Sequence, residues 1–372
     1  MESHNYRQCC RSCLLFILLF NLLKNGCHIT EALSTARPLN NSVTAVLVFG
    51  DSTVDAGNNN FVKTAFKGNF LPYGQDFVGG EPTGRFSNGR LTTDFIASYV
   101  GVKENVPPYL DPSLTVDDLK TGVSFASAGT GYDPMTPQIS NVIPIEQQLD
   151  YLREYKKKLE AVMGKRRTEE HIRKSLVVVS AGTNDFVISY FTLPFRKKTF
   201  TVYEYEKFIL QKSMDFVQGL IEEGARRVLL SALAPMGCLP VMITLYSKHP
   251  LFDRRCLDQY TQVAVDFNLM LQNELDRIKP HLASRGVKIY VSDVYHAVND
   301  MIQRPQTNGF EEVNSGCCGT GFLEAGFLCN PHSLVCPDAS KYIFWDSIHP
   351  TEKTYHNVFK AARPAIDLLI KD

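Results

Sequence analysis

The stretch VTAVLVFGDST, Val43 to Thr53, decides the fold. Its first seven residues are apolar or β-branched without polar alternation, the pattern of a strand covered on both faces. A glycine then breaks the run and places Asp51 and Ser52 on the turn that follows. Similar short runs recur at Gly122–Ala126, Leu176–Ser180, Arg227–Leu233 and Val287–Val291. They alternate with helical periodicities over Ile145–Val162, Tyr203–Glu223 and Leu257–Ile278, and a last helix is expected over Thr351–Leu369. Strand and helix taking turns predict an α/β protein: a three-layer α/β/α sandwich around a five-stranded parallel sheet, doubly wound. One domain over residues 43–370 is expected, interrupted by two long ordered loops at 55–90, rich in Gly, Asn and Pro, and at 303–340, with four cysteines and five glycines. The basic clusters Lys156–Lys158 and Lys165–Arg167 read as the solvated face of one helix and its exit.

The 372 residues carry 39 Lys plus Arg against 39 Asp plus Glu, so no basic field exists to hold a nucleic acid or an anionic membrane. With 44% hydrophobic and 21% charged residues, disordered and fibrous classes drop out. Residues 1–32 are read as a signal peptide: Arg7 and Arg11 precede an apolar run, Cys13–Leu23, too short to span a bilayer, and small residues at Ala32 and Ala36 offer cleavage sites. The expected product is secreted and extracellular, without a stable membrane anchor, and Asn40-Asn41-Ser42 offers an N-glycan acceptor at Asn40. Four of the ten cysteines, Cys9, Cys10, Cys13 and Cys27, fall in the presequence. The other six, Cys238, Cys256, Cys317, Cys318, Cys329 and Cys336, suit disulfides in an oxidising compartment better than zinc, since no CxxC or His-x-x-x-His partner lies nearby; their connectivity stays open.

In open parallel sheets, ligands bind beyond the carboxyl ends of the strands. Those ends carry Gly50-Asp51-Ser52-Thr53, Ala128-Gly129-Thr130-Gly131 and Gly182-Thr183-Asn184-Asp185, and Trp345-Asp346-Ser347-Ile348-His349-Pro350 follows the cysteine loop. A serine hydroxyl attacks an ester only when an imidazole takes its proton and a carboxylate fixes the imidazole. Asp346 and His349, three apart, can share one tight turn, with Pro350 opening the next helix. The N–H groups of Ser52 and Gly129 and the Asn184 amide are candidate oxyanion donors. A metal at Asp346 and His349 is the rival, weakened by the lack of a nearby third ligand.

The ordered blocks FGDSTVDAGNNN from Phe49, FASAGTGYDP from Phe125, GTND from Gly182 and DSIHPTE from Asp346 resemble the plant-type GDSL esterase/lipase family of the SGNH hydrolases, and the resemblance runs from Val46 to Leu369. It implies a flavodoxin-like sandwich and a secreted serine esterase or lipase working through an acyl-enzyme. It further implies Ser52 as nucleophile, Asp346 and His349 completing the triad, Gly129 and Asn184 as oxyanion donors, no cofactor or metal, and a small-molecule or lipid ester as substrate. In a plant the destination would be the apoplast or cell wall. Thr53 departs from the family's leucine. Gly-x-Ser-x-Gly, P-loop and His-Glu-x-x-His patterns do not occur. An acyltransferase using the same acyl-enzyme and a non-catalytic secreted binding protein are the alternatives; the second is disfavoured because no catalytic residue is lost.

Overall fold

A computed structural model describes residues 43–371. The expected signal peptide with its four cysteines, the expected cleavage near Ala32 and the Asn40 sequon lie outside the described residues. Four parallel strands, β1 (Val46–Gly50), β2 (Leu176–Ser180), β3 (Arg227–Ser231) and β4 (Lys288–Ser292), form one sheet in that spatial order. Register is continuous, with Val46 beside Leu176 and Leu176 beside Arg227. The seven main helices are α1 (Thr92–Tyr99), α2 (Ile145–Met163), α3 (Lys165–Lys174), α4 (Val202–Glu222), α5 (Asp258–Ser284), α6 (Val294–Gln303) and α7 (Glu352–Ile370).

Alternation along the strands divides the core into two layers. Leu47, Phe49, Val177, Val179, Val228 and Leu230 point to one face and pack with α2, α4 and α5 through Leu149, Leu152, Phe216, Leu220, Phe267 and Leu271. Val46, Val48, Leu176, Val178 and Leu229 point to the other and meet α1 and α7. On α7 the buried stripe Tyr355, Phe359, Ala362, Ile366 and Leu369 recurs at steps of four and three, the period of one helix face. Strands β1–β3 therefore bury both sides, which explains runs with no polar alternation.

The expected five-stranded sheet has four full strands. Residues 122–126 run beside β1 and follow its parallel register, with Val48 N–H donating to Val123 O (3.0 Å) and Phe125 N–H to Val48 O (2.7 Å). They make only an isolated bridge because other partners take up the segment. The Asn58 amide donates to the carbonyls of Ser124 and Ala126, both at 2.8 Å, and Ser124 N–H donates to Pro107 O. A side chain and a loop thus cover an edge that would otherwise be open. With this segment outside β1, the order is that of a flavodoxin-like sheet, and the switch point falls between β1 and β2.

Other boundaries also differ from the sequence reading. The cluster Lys165–Arg167 opens α3, because Gly164 at φ 82° turns the chain after α2. Pro350 lies two residues before α7; Thr351 is the cap, its hydroxyl accepting from Thr354 N–H. A second, two-stranded parallel sheet, β5 (Glu312–Gly316) with β6 (Tyr342–Phe344), leads into the Asp346 turn. The six cysteines among the described residues pair as Cys238–Cys256, Cys317–Cys336 and Cys318–Cys329. The last two form, with Tyr73, Phe86 and Trp345, a small core of their own beneath the long loops.

Candidate active site

The end of β1 is held from three sides. Gly50 sits at φ 133°, where a Cβ would overlap the Ser180 carbonyl, so only glycine lets the chain turn against β2. Gln148 of α2 grips the same peptide units, accepting from Gly50 N–H and donating to Gly50 O, both at 2.9 Å. Asp51 Oδ1 accepts from the Thr53 N–H (3.0 Å) and hydroxyl (2.8 Å), and the Thr53 hydroxyl also meets the Ser180 hydroxyl at 2.8 Å. Threonine here thus ties the turn to β2 by hydrogen bonds, which a leucine could not make. Ser52 is left at the crest, 7% exposed.

The block Asp55-Ala56-Gly57-Asn58-Asn59 fastens this turn to the Gly129 loop. Asp55 accepts from Gly57, Asn58 and Ala128 N–H at 2.7–3.0 Å, and burial pushes its carboxyl up to about 6. Asn59 donates to Ala128 O (2.9 Å) and accepts from the Ser127 hydroxyl (2.5 Å). Among the described residues, no group accepts from the N–H of Ser52 or of Gly129, so both donors are free. Asn184 heads a π-helix, Asp185–Thr192, and spends one amide hydrogen on Thr130 O (2.9 Å), which leaves the other available. Asp185 holds the far side of the Gly129 loop: it accepts from Tyr132 N–H, Asp133 N–H and the Thr136 hydroxyl at 2.6–3.0 Å. Burial raises its carboxyl to about 7 despite those bonds. Gly131 is required there, since a Cβ would overlap the Asp185 carboxylate.

Asp346 and His349 meet as the spacing predicted. Asp346 Oδ1 accepts from Ile348 N–H (2.8 Å) and His349 N–H (2.7 Å), closing a tight turn, while Oδ2 lies 2.7 Å from His349 Nδ1. The same Oδ2 accepts from the Tyr73 hydroxyl at 2.7 Å, and Tyr73 in turn accepts from Gly326 N–H at 2.8 Å. Burial and the Asp346 carboxylate push the Tyr73 phenol well above its ordinary range, so it is a fixed donor. Phe86 lies against the His349 ring at 4.9 Å. Around it, Arg85 pairs bidentately with buried Asp94, Ser87 donates to Pro350 O, and Asn88 accepts from Glu352 N–H. The loop 55–90 is therefore a brace for the histidine turn.

Ser52 and His349 are not hydrogen-bonded to each other among the described residues. The Asp51 carboxyl next to Ser52 is raised to about 6 by burial, while its bonds to Thr53 and the nearby His349 oppose the rise. Before substrate binds, a loose serine–histidine contact is common in such sites. No group of three or more His, Cys, Asp or Glu side chains gathers as a metal site among the described residues. Ser52, Asn184 and Ile348 line one cavity of about 110 Å³ that runs from the carboxyl ends of the strands down beside β2 and β3. Sequence reasoning missed Tyr73, Asp185, Gln148 and Arg85. Their only signals were the Gly–Asn–Arg texture of the first loop and the carboxylate after Asn184.

A doubly wound sheet carrying a serine at the switch point, with a histidine–carboxylate pair and unclaimed N–H donors beside it, defines a serine-hydrolase class of site. The GDSL-like lipase/acylhydrolase family model matches residues 46–362. A GDSL esterase/lipase of Arabidopsis thaliana is 58% identical over 88% of this chain and 88% of its own length. A second from the same plant is 44% identical over 84% and 88%. The chain belongs to the GDSL esterase/lipase family and is a serine esterase/lipase, a hydrolase of carboxylic esters.

Proposed function

We propose that Ser52, His349 and Asp346 form the triad and that the N–H groups of Ser52 and Gly129, with the Asn184 amide, form the oxyanion hole. The observation that carries this reading is the 2.7 Å contact between Asp346 Oδ2 and His349 Nδ1, fixed by two backbone donors on Oδ1. His349 then presents its Nε2 as acceptor. It takes the Ser52 proton as Oγ bonds to the ester carbonyl carbon, and the carbonyl electron pair moves to an oxygen held by the three donors. Collapse expels the alcohol, which leaves with the proton from His349. Water, deprotonated by the same nitrogen, adds to the acyl carbon; collapse breaks the bond to Ser52 Oγ, which takes the proton back from His349 as the acid leaves.

The protein acts outside the cell in this reading. Its three disulfides support that compartment, and no described helix is long and apolar enough to cross a membrane. A fluorophosphonate probe tests the nucleophile: intact-mass analysis should find one adduct on the wild type and none on Ser52→Ala. Equal labelling of the variant would move the nucleophile elsewhere.

A further inference from the structure

Close packing leaves few voids in a protein core, and an empty one costs stability in proportion to its volume. The cavity at Ser52 is such a void, and it reaches well below the surface of the site. Ser180 and Ser231 at its rim end β2 and β3, whereas Val178 and Leu229, also in its wall, lie two residues deeper in the same strands. The opposite wall is one stripe of α7, Tyr355, Val358 and Ala362, extending about 10 Å over two turns away from the catalytic turn that precedes the helix. Val298 of α6 lines it as well. The deep part, Val178, Leu229, Val298, Val358 and Ala362, offers no side-chain hydrogen-bonding group. An apolar chamber of that kind stays dry and accepts apolar guests.

Polar atoms gather at the other end. Ser52, Asn184 and Thr183 line the catalytic side. Tyr355 lines the cavity from the first turn of α7, the turn nearest the catalytic loop, and its buried hydroxyl has no hydrogen-bond partner among the described residues. A ligand with one polar end and an unbranched apolar tail matches this division. A water takes up about 30 Å³ and a methylene about as much, so 110 Å³ holds about four such groups.

We propose that this chamber is the acyl pocket, which takes the alkyl tail of a straight-chain ester of about five acyl carbons along α7 while the ester carbonyl meets Ser52. The proposal rests on Ser52 being the nucleophile. It fixes the substrate class on the acyl side and leaves the alcohol to the open side of the site.

A series of p-nitrophenyl esters from two to sixteen acyl carbons, given to the mature protein, tests it. The ratio kcat/KM should rise by up to about fourfold per methylene until about five carbons, then level or fall. Ala362→Leu, which fills the deep end, should lower the pentanoate-to-acetate ratio at least tenfold. Val358→Ala, which widens the chamber, should move the optimum to a longer chain. Taking the ratio to acetate cancels general damage, and the two variants push in opposite directions, so a folding defect in one leaves the other decisive. A flat wild-type series, or unchanged preference in both variants, would overturn the pocket while Ser52 still takes the fluorophosphonate. Failure of the catalytic reading looks different: Ser52→Ala would keep acetate hydrolysis.

Discussion

Removing one oxygen from Tyr73 should separate positioning from packing. In Tyr73→Phe the ring stays in the aromatic cluster with Phe86 and Trp345, at centroid distances of 5.7 and 6.4 Å, but Asp346 Oδ2 loses its 2.7 Å donor. A hydrogen bond to a charged group is worth about 1.5–3 kcal/mol, and the Gly326 N–H left without its acceptor adds a penalty of roughly 1–3 kcal/mol. Two backbone donors still fix Oδ1, but Oδ2, the oxygen that orients His349 Nδ1, loses its anchor. The imidazole is then held less precisely for proton transfer, while the carboxylate charge facing it grows. We expect kcat to fall by about tenfold with KM nearly unchanged. The acid limb of kcat/KM should move to higher pH by roughly half a unit, since one unit corresponds to about 1.4 kcal/mol. Steady-state kinetics on a short-chain ester from pH 4 to 9, with thermal melting alongside, reads all three effects. A lower melting temperature with an unchanged kcat and an unchanged pH profile would refute the argument and reduce Tyr73 to a packing residue.

Asn184→Ala removes one oxyanion donor and should lower kcat by about 10²–10³ in the same assay, while fluorophosphonate labelling of Ser52 slows but survives. The double variant Cys318→Ser with Cys329→Ser frees the loop that presents Gly326 to Tyr73; it should lose stability by about 2–4 kcal/mol in denaturant titration and lower kcat more than it raises KM. Stability should also depend on pH through the buried carboxyls. Asp51, Asp55 and Asp185 are raised to about 6, 6 and 7, so each binds its proton more tightly when folded, and the stability it contributes is complete below about pH 4 and lost as pH rises through 6 to 7. His171, lowered to about 4 by burial, acts oppositely, favouring the folded state above about 6.5 and withdrawing that support as pH falls to 4. Three groups against one predict a melting temperature that falls between pH 5 and 7.5; a rise over that interval would contradict the assignment.

The parts of the fold that were legible in the sequence are those with a single physical cause. Burial on both faces leaves the unmistakable signature of Leu176–Ser180, and the strand lies where that run lies. The run Gly122–Ala126 carries nearly the same apolar pattern, yet its pairing is reduced because Asn58 and the Pro107 loop compete for its backbone. That competition is long-range and has no local trace. The Asp346 turn was legible because the side chain caps backbone groups only two and three residues away.

Tyr73 and the acyl chamber were illegible for the opposite reason. Tyr73 reaches Asp346 across 273 residues, and its contact exists because the Cys318–Cys329 loop folds over it. The chamber is made by what is missing between Val178, Leu229 and Ala362, all ordinary core residues by type. A sequence can announce which side chains perform chemistry, since serine, histidine and aspartate are costly to bury without a purpose. It cannot announce a void, because a core residue beside a chamber and one beside a neighbour carry the same apolar letter. Substrate preference on such a scaffold therefore changes through single apolar substitutions such as those at Ala362 and Val358, which leave every recognisable block intact.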